Sequence, residues 1–189
     1  TLDLLVNNAG VGGIGPFEQA EEARLRKIME VNFFAPAQLT RRLLPSLKSS
    51  NDAVICNIGS VLGHRAVPDK SEYCASKFAL HGWSDALRAE LAGTSVSVTL
   101  VSPSTTRSEF FGALVDSEAG AESRSFGSWP ADRVAAATLN AIRKRRAEVI
   151  LSLGGKLLVY ADRLCPPLMN WLLRKKTVIK RSGRSPCSE

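Results

Sequence analysis

Ser71-Glu72-Tyr73-Cys74-Ala75-Ser76-Lys77, read together with Ser60 upstream, is the stretch around which the rest of the chain is organised. The apolar spacing from Ser71 to Leu91 predicts a helix. On a helix, residues four apart lie side by side on one face, so Tyr73 and Lys77 form such a pair. A free tyrosine has a pKa near about 10, too high for a base at neutral pH, and a neighbouring ammonium favours the phenolate. At about 4 Å and an effective dielectric of about 20 the attraction is on the order of 4 kcal/mol, so the expectation is a Tyr73 pKa drawn down towards neutrality. Ser60 follows the β-like run Ala53-Val54-Ile55-Cys56-Asn57-Ile58, where a hydroxyl can stabilise an oxygen that changes charge during a reaction.

A Tyr-x-x-x-Lys pair alone is common in helices, but this one has company. Asn7-Asn8-Ala9-Gly10 follows the strand-like Leu4-Leu5-Val6, Asn32 lies inside a long helical pattern, and Ser60 stands thirteen residues before Tyr73. That ordered set resembles the short-chain dehydrogenase/reductase family, strongly over residues 1 to 110 and by pattern over 130 to 153. The resemblance implies an α/β fold, a Rossmann-like doubly wound parallel sheet, with Asn32, Ser60, Tyr73 and Lys77 as the catalytic tetrad. In such a tetrad the tyrosine exchanges a proton with the substrate oxygen, the serine hydrogen-bonds that oxygen, the lysine tunes the tyrosine and orients the cofactor ribose, and the asparagine supports a proton relay. NADP or NAD is the implied cofactor. Asn8, Ala9, Gly10, Tyr73, Lys77, Pro103, Thr106 and Ser108 are the implied cofactor contacts, and a carbonyl or alcohol is the implied substrate. At Ser102-Pro103-Ser104-Thr105-Thr106-Arg107-Ser108 the chain departs from the family's Pro-Gly-x-x-x-Thr: Ser104 stands for Gly and Ser108 for Thr.

Several other runs follow from pattern. Leu4 to Val6 reads as a strand buried on both faces, and Val96 to Val101 and Glu148 to Ser152 as further strands. Gly10, Gly12 and Gly15 have the spacing Gly-x-Gly-x-x-Gly, but Pro16 interrupts and no helix opens directly, so a phosphate fingerprint is rejected. Phe17 to Leu47 has helical periodicity with a kink or boundary expected at Pro36. Residues 109 to 129, carrying Phe110, Phe111, Phe126 and Trp129, read as a substrate lid that favours a partly apolar substrate. Pro130 opens a helix to about Arg146. Two apolar segments, 156 to 160 and 168 to 173, flank Pro166-Pro167; packing on the sheet, docking on a partner and weak contact with a membrane surface all stay open for them.

Length and composition suit one domain, expected to span residues 1–173, with residues 174–189 as a basic, disordered tail. The formal charge is +7; residues 174–189 hold six basic residues and one acid, net +5, which leaves +2 for the rest. No aromatic residue interleaves with those charges, so nucleic acid is not an expected partner. Cys56, Cys74, Cys165 and Cys187 have no metal-ligand spacing, so no metal site is expected, and thiols of this kind suit a reducing compartment, with the cytoplasm as the expected location. The family's Thr-Gly-x-x-x-Gly-x-Gly turn is absent from these 189 residues. The expectation is therefore a sheet lacking its first strands and that phosphate turn: an oxidoreductase that is inactive as given, and a homo-oligomer when complete. A non-catalytic scaffold derived from such a reductase is the alternative.

Overall fold

The computed structural model describes residues 1–117 and 128–182. Four strands, β1 (Leu4–Asn7), β2 (Ala53–Ile58), β3 (Val96–Ser102) and β6 (Glu148–Ile150), form one parallel sheet in the order β1-β2-β3-β6. Their composition explains the arrangement. β2 and β3 are nearly continuous runs of buried residues, as central strands covered on both faces must be. Two residues each of β4 (Thr106–Arg107) and β5 (Trp129–Pro130) pair apart from this sheet.

Helices cover both faces. Between β1 and β2 come α1 (Glu22–Met29), a π-helical turn (Glu30–Phe34) and α2 (Ala35–Lys48); α3 (Ser71–Glu90) links β2 to β3 and α4 (Ala131–Arg143) precedes β6. On one face Ile55, Val96 and Val98 pack with Leu47 of α2 and with Leu87 and Leu91 at the end of α3. On the other, Cys56 and Val101 pack with Ala141 of α4 and Leu151. Adjacent Ile55 and Cys56 thus serve opposite layers, the period of two that a strand imposes.

Three expectations change. β1 is buried on one face only: Leu5 and Asn7 point inward, whereas Leu4 and Val6 are 40% and 42% exposed, because the helix on that face packs over β3. Pro36 does not break its helix. The helix widens into the π-turn immediately before it, and this relieves the clash between a proline ring and the carbonyl four residues back. After β6, α5 (Leu153–Leu164) and α6 (Pro166–Ser182) follow, so residues 174–182, expected as a disordered tail, are helical; residues 183–189 lie outside the described residues.

Candidate active site

The carboxyl ends of parallel strands are where open α/β sheets bind ligands, and Asn32, Ser60, Tyr73 and Lys77 come together there. Ser60 stands two residues past β2, held by two backbone bonds: Gly59 N–H donates to Val101 O at 2.7 Å and Val61 N–H to Pro103 O at 2.9 Å. The backbone carbonyl of Pro103 therefore positions Ser60. The Ser60 hydroxyl accepts from Leu62 N–H at 3.1 Å, capping the short 3-10 turn Val61–Gly63, and hydrogen-bonds the Tyr73 phenol. That turn sits tight on the catalytic helix: a β-carbon on Gly63 would stand 2.7 Å from Lys77 O.

Lys77 is 4% exposed, and its ammonium donates to Ile58 O at 2.8 Å. Its Nζ lies 5.8 Å from the centre of the Tyr73 ring. The expected lowering of the Tyr73 pKa by this neighbour is not what the geometry gives. Burial pushes the phenol up to about 12 against the opposing Ser60 hydrogen bond, and burial brings Lys77 down to about 8. Desolvation disfavours both charged forms, and at this separation it outweighs the attraction between them.

Asn32, fully buried on the π-turn, spends its amide on the Gly-rich loop and the catalytic helix. It donates from Nδ2 to Val11 O and to Ser76 Oγ, both at 2.9 Å, and accepts Val11 N–H on Oδ1 at 2.9 Å. Ser76 Oγ in turn donates to Tyr73 O at 2.8 Å. A β-carbon on Gly10 would stand 3.4 Å from Asn32 Oδ1 and 3.7 Å from Lys77 Nζ, so Gly10, Asn32 and Lys77 share one corner of the site. Asn8 and Ala9 are exposed beside them. The preceding Asn7 is structural: it bonds Asn57 Oδ1 at 2.7 Å and Thr40 Oγ1 at 3.2 Å, while Asn57 reaches Ser84 Oγ at 2.8 Å.

The remaining predicted contacts are placed less centrally. Thr106 lies in β4 opposite Trp129 of β5, and Ser108 accepts Phe110 N–H at 3.4 Å, starting the turn that carries Phe110. Phe110 meets the Tyr73 ring edge-on, with centroids 5.7 Å apart. Of the other aromatics expected over the site, Trp129 packs with Val134, Ala137 and Ala141 and stacks under Arg133; Phe126 and the Phe111 side chain lie outside the described residues.

Two features were not read from the sequence. Arg24 and Glu72 form a buried ion pair between α1 and the first turn of α3. Its signal was phase: Arg24 stands four residues before buried Ile28, and Glu72 four before buried Ser76, both on inward stripes. The chain's two histidines also meet, with His64 and His81 rings 4.3 Å apart and potential ligand atoms of both within 4.8 Å of Glu148. Arg163 Nη2 donates to His64 Nδ1 at 3.4 Å, and His64 Nε2 lies 3.0 Å from both Ser102 Oγ and Glu148 Oε1.

The short chain dehydrogenase family model matches residues 1–119. A dehydrogenase/reductase SDR family protein 7-like from Drosophila melanogaster is 33% identical over 183 residues, covering 94% of this chain and 56% of the relative. The ketoacyl reductase HetN of a Nostoc species is 37% identical over 151 residues, 80% of this chain and 52% of the relative. The chain thus spans about half the length of these curated relatives. Among solved structures, a short chain dehydrogenase from Burkholderia cenocepacia in complex with NADP superposes with TM-score 0.77 at 27% identity, covering 90% of this chain and 68% of that one. One from Streptomyces avermitilis gives TM-score 0.70 at 28% identity, covering 93% and 71%. Because that family model matches well over half of its residues, the chain belongs to the short-chain dehydrogenase family.

Proposed function

We propose that the chain carries the proton-transfer centre of an NAD(P)-dependent oxidoreductase acting on a partly apolar carbonyl or alcohol. The carrying observation is the meeting of Ser60, Tyr73 and Lys77 at the carboxyl end of β2, braced by Asn32 through Ser76. A phenol pushed up to about 12 stays protonated at neutral pH, and that form delivers a proton to a carbonyl oxygen. Ser60 hydrogen-bonds the same oxygen as it gains electron density. Phe110, leaning over Tyr73 and Gly12, supplies apolar contact for the substrate.

The nicotinamide cofactor supplies the hydride when bound. Residues around Gly10 suit it: exposed Asn8 and Ala9 end the β1 edge, Gly10 carries no side chain to crowd Lys77 Nζ, and that amine faces the same opening. Pro103, Thr106 and Ser108, which follow β3 in the chain, are the further contacts that the family resemblance implies. The relative named a ketoacyl reductase agrees with carbonyl reduction, and neighbours solved with NADP and with NADH agree with a nicotinamide cofactor of either kind.

The test is titration with NADPH and with NADH, followed by nicotinamide fluorescence, of the chain alone and of the chain joined to a segment carrying the Thr-Gly-x-x-x-Gly-x-Gly turn, together with turnover of a panel of aliphatic and aromatic ketones. Cofactor binding with turnover by the joined chain supports the reading. A folded joined chain that binds neither cofactor would overturn it and favour a scaffold built on the same fold.

A further inference from the structure

Outside the tetrad, the largest unexplained feature is the surface of α5 and α6. On α5, Leu153, Leu157, Tyr160 and Leu164 are 80%, 70%, 52% and 86% exposed. On α6, Leu168, Trp171 and Leu172 are exposed by 44% or more. Spacings of three and four continue from Leu153 through the Cys165-Pro166 junction to Trp171, so each helix bears one continuous apolar stripe. The stripe of α5 is not its packing face. Gly155 and Val159 lie on the opposite side, buried with Val61 and Ile150, and a β-carbon on Gly155 would meet Val61 at 2.8 Å.

Charge accompanies the stripe. Between Asp162 and Glu189 there is no acidic residue, and Arg163, Arg174, Lys175, Lys176, Lys180, Arg181 and Arg184 fall in that interval. Asp162 itself is taken by Arg65 at 2.7 Å. Lys175 Nζ sits 5.1 Å above the Trp171 ring, joining an aromatic to a cation at the apolar border.

We propose that α5 and α6 lie on an anionic membrane surface, with the leucines and Trp171 in the headgroup boundary and the basic residues against acidic lipid heads. Among the described residues no helix is long and apolar enough to cross a membrane, and an amphipathic pair with basic flanks has the composition of an in-plane segment. A second copy of the chain is the competing occupant. Two copies meeting by a two-fold axis would bring the same positive charge against itself, whereas acidic lipid supplies the missing negative charge. The inference rests on this surface alone and is independent of the chemistry proposed for Tyr73.

The experiment is co-sedimentation of the full 189-residue chain with vesicles of phosphatidylcholine alone and of phosphatidylcholine with about one quarter phosphatidylserine, at about 0.05 and about 0.5 M NaCl. Expected is preferential binding to the serine-lipid vesicles that weakens severalfold at the higher salt. The L157S/L164S variant, altered only at exposed positions, should bind about tenfold or more weakly with an unchanged melting temperature. If that variant does not fold, R174E/K175E replaces it and should abolish the salt-dependent part. Equal sedimentation of wild type and variants overturns the proposal. So does a wild-type dimer in analytical ultracentrifugation that L157S/L164S dissociates while neither protein binds vesicles, the result expected of a protein interface.

Discussion

Arg24 Nη2 and Glu72 Oε1 stand 2.7 Å apart with both side chains at most 3% exposed, and Arg24 Nε donates to the same oxygen at 2.9 Å. This pair joins the helix after the Gly-rich loop to the first turn of the catalytic helix, one residue from Tyr73. Glu72→Gln leaves the buried guanidinium only the partly exposed Asp116 carboxylate, 3.9 Å away, and should cost up to about 3 kcal/mol, read as a lowered urea midpoint. Arg24→Met combined with Glu72→Leu should recover most of that loss. A single Glu72→Gln variant as stable as wild type would show that the pair is dispensable.

Tyr73→Phe removes the transferable proton and little volume. In a chain with the absent phosphate-turn segment restored, turnover should fall about 10²–10⁴-fold, with the melting temperature unchanged. Retention of more than about a tenth of the wild-type rate would remove Tyr73 from the proposed role.

Lys77→Met is expected to separate activity from stability. Lys77 is brought down to about 8 by burial, below its ordinary value of 10.5, so the unfolded chain holds the proton more tightly between those values and stability rises with pH across that window. Below pH 8 the buried ammonium is a net cost. Methionine at this position should therefore raise stability at pH 7, by on the order of 1–3 kcal/mol, while turnover is lost. Thermal melts at pH 7 and pH 10 check it: the gain at pH 7 should shrink at pH 10.

Acid should weaken the fold through two carboxylates. Burial raises the Glu72 pKa, but hydrogen bonds from Ser71, the backbone and Arg24, with the Arg24 charge, bring it below the usual value. The hydrogen bond from His64 lowers Glu148, helped by the charges around it. A carboxylate held low when folded contributes stability that is complete above its unfolded pKa, about 4.3, and is lost as pH falls through the lower folded value. Stability measured from pH 6 to pH 3 should decline in that range, and Glu148→Gln should flatten part of the decline.

Gly12→Ala probes the apolar contact. The added methyl would stand 2.7 Å from the tip of the Phe110 ring, which can swing away. The expected outcome is a KM raised severalfold with kcat and stability little changed; unaltered KM values across the ketone panel would detach Phe110 from substrate binding.

The legible parts of this molecule were those governed by local pattern. The runs 53–58 and 96–101 are short, rich in β-branched and apolar residues and bounded by turn residues, and both are observed as central strands. The catalytic helix was likewise readable from Ser71 onward. What escaped depends on neighbours distant in sequence. Arg24 and Glu72 are 48 residues apart, and His64 and Glu148 meet only because β6 pairs with β3. The Tyr73 pKa was misjudged for a related reason, since the helix fixes the spacing to Lys77 but the depth of burial is set by the turn at Val61–Gly63 and by Phe110. The basic composition of 174–182 obscured an amphipathic helix already under way at Trp171.

The π-turn at Glu30–Phe34 has a consequence for rotational phase. Arg24, Ile28, Asn32, Pro36 and Thr40, each four residues from the last, are all buried. A regular α-helix turns about 100° per residue, so steps of four slip about 40° each and would carry the fifth of these residues to the far side of the cylinder. The wide turn takes up that slip midway, so that Arg24 can meet the catalytic helix while Thr40 still faces β1. By the same arithmetic, deleting one residue between 30 and 34 would remove about 100° of that slip, so the shortened, regular helix would keep Arg24 and Thr40 on nearly the faces they hold now; the wide turn is the room that one extra residue needs.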